Sequence, residues 1–231
     1  MMFKKKDKGQ RKSLFGGKGQ VSPAVIKRLP RYHRYLGELL RNKRMRISSS
    51  ELSEMMDVTA SQIRQDLNCF GGFGQQGYGY NVPYLYDKIS ELLGVNADFG
   101  AIIIGAGNLG RALVSSRMFE RRGVRRLALF DIDPNVVGTT VSGIPVLHID
   151  ELDEFVRRER VHIAVLTTPK EAAAEAMERV LSLGVGGIWN FSNAELRTAH
   201  PTAVIENIHL GDSLMTLCYE LSRRSSEDSG K

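Results

Sequence analysis

The spacing of apolar side chains divides the chain into two regions with different periods. Between residues 22 and 93 the large apolar residues recur three and four positions apart, the repeat of helices that bury one face. Ser22-Pro23 reads as an N-cap followed by proline in the first helical turn, and Val25, Ile26 and Leu29 begin the stripe. Pro30 lacks the amide that a helix interior needs, so a break or restart is expected there. Tyr32, Tyr35, Leu36, Leu39 and Leu40 carry the stripe on to Lys43. Ser48-x-x-Glu51 is a capping box in front of ELSEMM, and Thr59-x-x-Gln62 is a second one in front of SQIRQDLNCF. With Asp57-Val58 as the turn, these two helices form a helix-turn-helix whose expected core is Leu52, Met55, Val58, Ile63 and Leu67. GGFGQQGYGYNV follows, glycines interleaved with aromatics, which predicts a β-hairpin and hence a wing. Pro83 then opens a fourth helix that Gly94 is placed to end.

From Phe99 the period changes. AIIIG, RLALFD, HIAVLT and GIWNF are short, unbroken apolar runs of strand length. Between them lie helical patterns: NLGRALVSSRMFERR, DELDEFVRRE and KEAAAEAMERVLSLG. Strands alternating with helices predict a parallel sheet built from βαβ units and covered on both faces. GDSLMTLCYELSRR predicts a last helix striped by Leu214, Leu217, Cys218 and Leu221, with SSEDSGK frayed beyond it. The pattern thus gives an α/β protein. Residues 1–20 are a disordered basic tail, residues 21–96 a winged helix-turn-helix domain, residues 97–208 a Rossmann domain, and residues 209–231 a terminal helix.

The chemistry concentrates at two places. Gly105-Ala106-Gly107-Asn108-Leu109-Gly110 fits G-x-G-x-x-G, follows the strand AIII and opens a helix, and Asp131 ends the next strand. In this context the first glycine makes the tight turn, the second lets the backbone approach a pyrophosphate, and the third lets helix and strand pack closely. Asp131 suits a ribose 2′-hydroxyl and would repel a 2′-phosphate, so NAD(H) is expected in preference to NADP(H). Thr168-Pro169 and Asn190-Phe191 stand at the ends of later strands, where ligands of open α/β sheets bind. The other place is the polar face of the third helix: Ser61, Gln62, Arg64, Gln65 and Asn68, with Gln76 and Tyr78 in the wing, although Tyr78, like Tyr80, also suits the core. Arg64 could meet guanine or phosphate, and Gln62 or Gln65 adenine.

Charge sharpens this division. The first 90 residues hold 17 Lys and Arg against 7 Asp and Glu, and the rest hold 15 against 19. The basic end suits a polyanion and the other end does not. No apolar run is long enough to span a bilayer, MMFKKKDKGQRK lacks the apolar core and cleavage site expected of a secretory signal, and Cys69 and Cys218 form neither a metal-spaced pair nor a disulfide framework, so a cytoplasmic protein is expected. The glycine-rich wing lacks the Lys-Ser/Thr pair of a P-loop. Tyr84-x-x-x-Lys88 mimics a dehydrogenase pair but precedes the Rossmann strands, and His33, His148, His162, His200 and His209 show no acid partner at motif spacing. No catalytic residue and no metal ligand is therefore expected. A small NAD-dependent oxidoreductase, or a CoA-binding type of enzyme domain, stands as the alternative, and an architectural DNA-binding protein as a third.

VTASQIRQDLNCFGGFGQQGYGYNV, GAGNLGRAL, FDIDP, TTP and the NF of IWNF together resemble the Rex family of bacterial redox-sensing transcriptional repressors, from about Ser22 to Leu221. The resemblance implies a homodimer in which the terminal helix inserts between the partner's two domains. It also implies a palindromic double-stranded operator, and release of that DNA by NADH but not by NAD⁺. It carries over Gly105 to Gly110, Asp131, Thr168, Pro169, Asn190 and Phe191 as the cofactor pocket, with no small-molecule substrate beyond the dinucleotide and no membrane partner. The chain departs from the family at Gln65 and Gln76, which stand where basic residues are usual. The family's interdomain switch joins an Arg, a Tyr and an Asp; Arg34 matches the first, and Ser116 and His209 replace the others.

Overall fold

The computed structural model describes residues 22–68, 74–75 and 79–228, without the side chains of residues 74–75 and 225–228. The chain divides into two compact units, one ending at Asn96 and the other beginning at Ala97.

The first unit opens with α1 (Pro23–Arg41), capped by the Ser22 hydroxyl, which accepts from the Val25 amide. The helix does not break at Pro30. A proline removes a single donor, and Leu29 and Tyr32 on either side of it are both buried in one core, so packing holds the two halves in line. Ser48 then caps α2 (Ser49–Met56) through a complete capping box: its hydroxyl accepts from the Glu51 amide at 3.1 Å, and the Glu51 carboxylate accepts from the Ser48 amide at 2.9 Å. The bond from the Ser48 amide, with Arg44 beside it, holds the Glu51 carboxyl down at about 2. Asp57 turns the chain with φ 49°.

α3 (Ala60–Asn68) follows, with the Thr59 hydroxyl accepting from the Gln62 amide. Only this half of the expected second capping box forms, because the Gln62 side chain reaches forward to Asp66 instead. Met56, one turn after buried Leu52, is fully buried, and the expected core residues Met55 and Val58 are half-buried against the same core. The wing is a three-stranded antiparallel sheet in the order β1 (Arg46–Ile47), β3 (Gly79–Asn81), β2 (Gly74–Gln75). β1 escaped the sequence reading because two residues carry no period. α4 (Val82–Leu92) is capped by Asn81 Oδ1, and Gly94, at φ 68°, follows its end.

The second unit is built on one seven-stranded sheet of β4 (Phe99–Ile104), β5 (Val124–Asp131), β6 (Thr140–Val141), β7 (Ile144–His148), β8 (Ile163–Leu166), β9 (Gly187–Asn190) and β10 (Val204–Asn207). Their order is β10-β9-β8-β4-β5-β7-β6, parallel except for the β6–β7 pair. Alternate residues of the central strands enter two cores. Ile102, Ile104, Ala128, Phe130, Ala164 and Leu166 pack with α6 (Leu152–Arg158) and α7 (Lys170–Ser182). Ala101, Ile103, Leu129 and Val165 pack on the other face with Val114 of α5 (Asn108–Ser115). Of the pattern expected as one long helix from Asn108 to Arg122, only the first half is α5: Ser116 ends it in extended backbone, and a 3-10 turn covers Glu120–Arg122. Successive strands depart to opposite sides of β4, which places a ligand crevice beyond its carboxyl end.

The last helix, α8 (Leu210–Asp228), runs further than expected, through most of the segment read as frayed. Leu214, Met215, Leu217, Tyr219 and Leu221 on it are each more than half exposed. Among the described residues, no helix is long and apolar enough to cross a membrane.

Candidate dinucleotide and DNA interfaces

The glycine turn at the end of β4 has three different geometries for three different reasons. Gly105 sits at φ 104°, a conformation that L side chains rarely adopt, and a Cβ there would lie 2.8 Å from the Thr167 carbonyl oxygen. At Gly110 a Cβ would lie 2.0 Å from the Gly105 carbonyl oxygen, so only glycine lets α5 pack against the turn. At Gly107 a Cβ would meet nothing within 4 Å. Gly107 is also the N-cap of α5 and supplies no side-chain cap, leaving the first amides of that helix to an outside acceptor.

Beside this turn lies a cavity of about 680 Å³. Gly105, Gly107, Asp131, Thr167, Thr168 and Pro169 form its strand-end side, and Ile132, Ile149, Leu152 and Ala176 give it apolar walls. The Asp131 carboxylate is held by three backbone amides: Ala106 at 2.5 Å, Ile132 at 2.7 Å and Asp133 at 2.9 Å. A carboxylate offers about four acceptor positions, so one remains for a sugar hydroxyl. The Thr167 hydroxyl donates to the Gly105 carbonyl at 2.8 Å and closes the turn. The Thr168 hydroxyl oxygen is buried and has no partner among the described residues. An orphaned hydroxyl, an open glycine and a fixed carboxylate around one apolar cleft fit a dinucleotide.

Other residues expected here are placed differently. Ala106 is buried, Asn108 is exposed and Leu109 is half-buried at the start of α5. Asn190 is turned into the protein: its Nδ2 donates to the Ala194 carbonyl and to Asn207 Oδ1, and its Oδ1 accepts from the Ser192 amide and hydroxyl. It therefore shapes the loop after β9 and has no polar atom to spare. Phe191 packs edge-on against Trp189, with ring centroids 4.7 Å apart. Neither residue lines the cavity.

In the first unit, Ser61, Arg64, Gln65 and Asn68 form the exposed face of α3, and Gln62 is half-buried beside them. Arg64 Nη1 donates to the Ser49 hydroxyl on α2 at 3.0 Å. Gln76 and Tyr78 lie outside the described residues. Sequence reasoning missed Asp66, which is fully buried on the inner face of α3. Arg28 Nε and Nη2 each donate to it at 2.7 Å, the Tyr32 hydroxyl at 3.0 Å and Gln62 Nε2 at 2.8 Å. Burial pushes the Asp66 carboxyl up, but the bonds from Arg28, Gln62 and Tyr32 outweigh it and carry it below its usual range. Burial, and then the bond to Asp66, pushes the Tyr32 hydroxyl up. The signal was available: Asp66 stands three residues after Ile63 and beside Leu67, a charge at a core position.

The three switch positions are each engaged locally. The Arg34 guanidinium lies 5.2 Å from the centroid of the Tyr35 ring. The Ser116 hydroxyl accepts from the Met118 amide. His209 Nε2 meets Glu195 Oε2 at 2.9 Å, an acid partner that motif spacing did not reveal, while His148 Nδ1 accepts from the Asp150 amide at 3.3 Å. His162 Nδ1 accepts from the Gly100 amide, and His33 stacks on Tyr86 and bonds Ser90. Lys88 pairs with Glu91.

A family model described as "Putative DNA-binding protein N-terminus" matches residues 20–68, and one described as "CoA binding domain" matches residues 71–194. The redox-sensing transcriptional repressor Rex of Thermoanaerobacter pseudethanolicus is 49% identical over 205 residues, 89% of this chain and 91% of that protein. Its namesake in Caldicellulosiruptor saccharolyticus is 49% identical over 210 residues, 91% of this chain and 95% of that one. Two solved structures match most of the chain. One, of RSP in complex with β-NAD⁺ and operator DNA, has a TM-score of 0.84 at 47% identity and covers 92% of this chain and 97% of its own. The other, of RSP in complex with β-NADH, has a TM-score of 0.83 at 44% identity and covers 93% and 100%. At 49% identity over 89% of its length, this chain belongs to the Rex family of redox-sensing transcriptional repressors.

Proposed function

We propose that this protein represses transcription by holding a palindromic double-stranded operator as a homodimer, and that NADH bound in the Rossmann unit releases it. The observation that carries the reading is the open cradle at Gly107 beside the unpartnered Thr168 hydroxyl, in a chain that also presents the polar face of α3. The α5 amides and Gly107 hold the pyrophosphate, Asp131 takes a ribose hydroxyl, and Thr168 and Pro169 line the same cleft. The bound dinucleotide supplies the redox signal, since its nicotinamide ring differs in charge between the two states. Ser61, Gln62, Arg64, Gln65 and Asn68 face the DNA, helped by Gln76 and Tyr78 of the wing. The protein acts in the cytoplasm as a regulator and not as an enzyme, in keeping with relatives whose names are those of repressors.

The apolar side chains exposed along α8 find cover in a second copy of the chain. Arg34, Ser116 and His209 are the positions through which cofactor state would reach the DNA-reading unit. An operator shift assay with NAD⁺ or NADH tests the whole reading. Binding that survives NAD⁺ and is lost with NADH supports it. Binding indifferent to both removes the redox sensing. Because coupling between two sites is reciprocal, operator DNA must weaken NADH binding by the same factor.

A further inference from the structure

A carboxylate with no exposed surface is costly unless it is paired and hydrogen-bonded, and an apolar side chain often fills such a place with no loss of stability. Asp66 is such a group, on the helix that carries the polar reading face. Arg28 anchors it to α1 by two bonds at 2.7 Å, and the Tyr32 hydroxyl adds a third at 3.0 Å. The fourth bond, at 2.8 Å, goes to Gln62, one turn earlier on α3 and on the edge of the reading face.

This fourth bond has a direction. An ionised carboxylate can only accept, so the arm of Gln62 that meets it is the nitrogen. The carboxamide oxygen is then the arm turned away. The Arg28 pair keeps Asp66 ionised, so the carboxamide is not free to flip. A polar side chain held in one orientation before binding loses less entropy on binding and discriminates better.

We infer that Asp66 is a positioning residue for base reading: it holds Gln62 so that the side chain presents its oxygen as an acceptor. In the major groove such an acceptor selects an exocyclic amine, adenine N6 or cytosine N4. Arg28 and Tyr32 serve this orientation indirectly, by holding Asp66 in place from α1. The inference rests on the proposed reading of α3 as the helix that faces DNA.

The test is selection from a library of randomised palindromic duplexes, with NAD⁺ present, by the full-length wild type and by the Asp66→Asn, Gln62→Leu and doubly substituted proteins. The wild type is expected to recover a half-site with one position confined to adenine or cytosine on one strand. Asp66→Asn should still bind with the same salt dependence, but that position becomes degenerate and preference for the selected duplex over its substituted form falls about tenfold. Gln62→Leu should lose the same position, and the double variant should lose no more.

Recovery of the wild-type half-site by Asp66→Asn overturns the inference. So does an equal loss of affinity for selected and scrambled duplexes, which marks a role in the fold alone. If circular dichroism shows Asp66→Asn unfolded, Gln62→Leu decides: an unchanged half-site overturns the inference, and loss of that one position upholds it. If the wild type recovers no common sequence, the DNA-reading proposal falls, and this inference with it.

Discussion

The Asp131 carboxylate accepts the Ala106 amide at 2.5 Å, and so ties the end of β5 to the middle of the glycine turn after β4. One side chain thereby sets the shape of the turn and stands at the edge of the cavity. Asparagine at this position keeps the size but turns an amide group toward one of the three backbone donors. Asp131→Asn should weaken dinucleotide binding about tenfold or more, roughly 1.4 kcal/mol. It should also narrow the preference for NADH over NADPH, since the charge that repels a 2′-phosphate is gone. Calorimetric titration of both dinucleotides measures the two effects.

Gly107 and Gly110 separate the requirements of ligand and fold. Gly110→Ala puts a methyl group 2.0 Å from a backbone oxygen, so the second unit should lose about 1–3 kcal/mol or more of stability. Gly107→Ala puts a methyl group within 4 Å of nothing among the described residues and, at φ −68°, needs no unusual backbone. Its stability should stay within about 0.5 kcal/mol of wild type, while dinucleotide affinity falls about tenfold. Thermal melts without ligand, set beside calorimetry with it, give both readings. Equal binding by Gly107→Ala and wild type would place the pyrophosphate elsewhere.

The first unit should be sensitive to both extremes of pH. Asp66 and Glu51 have carboxyls held below their usual range. Their contribution is present above about pH 4, the ordinary carboxylate value, and is lost as pH falls through the lowered ones. Tyr32 is raised. Its contribution is complete below about pH 10 and is lost as pH rises from there through the raised value. Denaturant melts from pH 2 to 12 should show a plateau between these limits. Tyr32→Phe should abolish the part of the alkaline loss that belongs to this residue.

The exposed stripe of α8 predicts the oligomeric state. Leu217→Asp puts a charge in the middle of Leu214, Leu217 and Leu221, all more than half exposed in the single chain. Sedimentation should show a dimer for wild type and a monomer for Leu217→Asp. The variant should also bind a palindromic operator far more weakly, because two half-sites need two reading helices. A wild-type monomer at micromolar concentration would contradict the assignment of α8 to the dimer.

Features whose causes lie within a few residues of each other are legible in the amino-acid sequence. The Ser48–Glu51 capping box, the glycine turn between strand and helix, and the switch from a helical to a βαβ period are all local, and the structure carries each of them. The remaining features join positions far apart in the chain, which only folding brings together. Asp66 finds Arg28 across 38 residues, Asn190 finds Asn207 across 17, and His209 finds Glu195 across 14. No periodicity announces such partners. Packing also overruled local preference at Pro30, where the buried residues on either side hold the helix together. Thr168 belongs to both classes: its place after a strand marks it as a candidate ligand position in the sequence, and only the fold leaves its hydroxyl buried without a partner in the same cleft as Gly105 and Asp131.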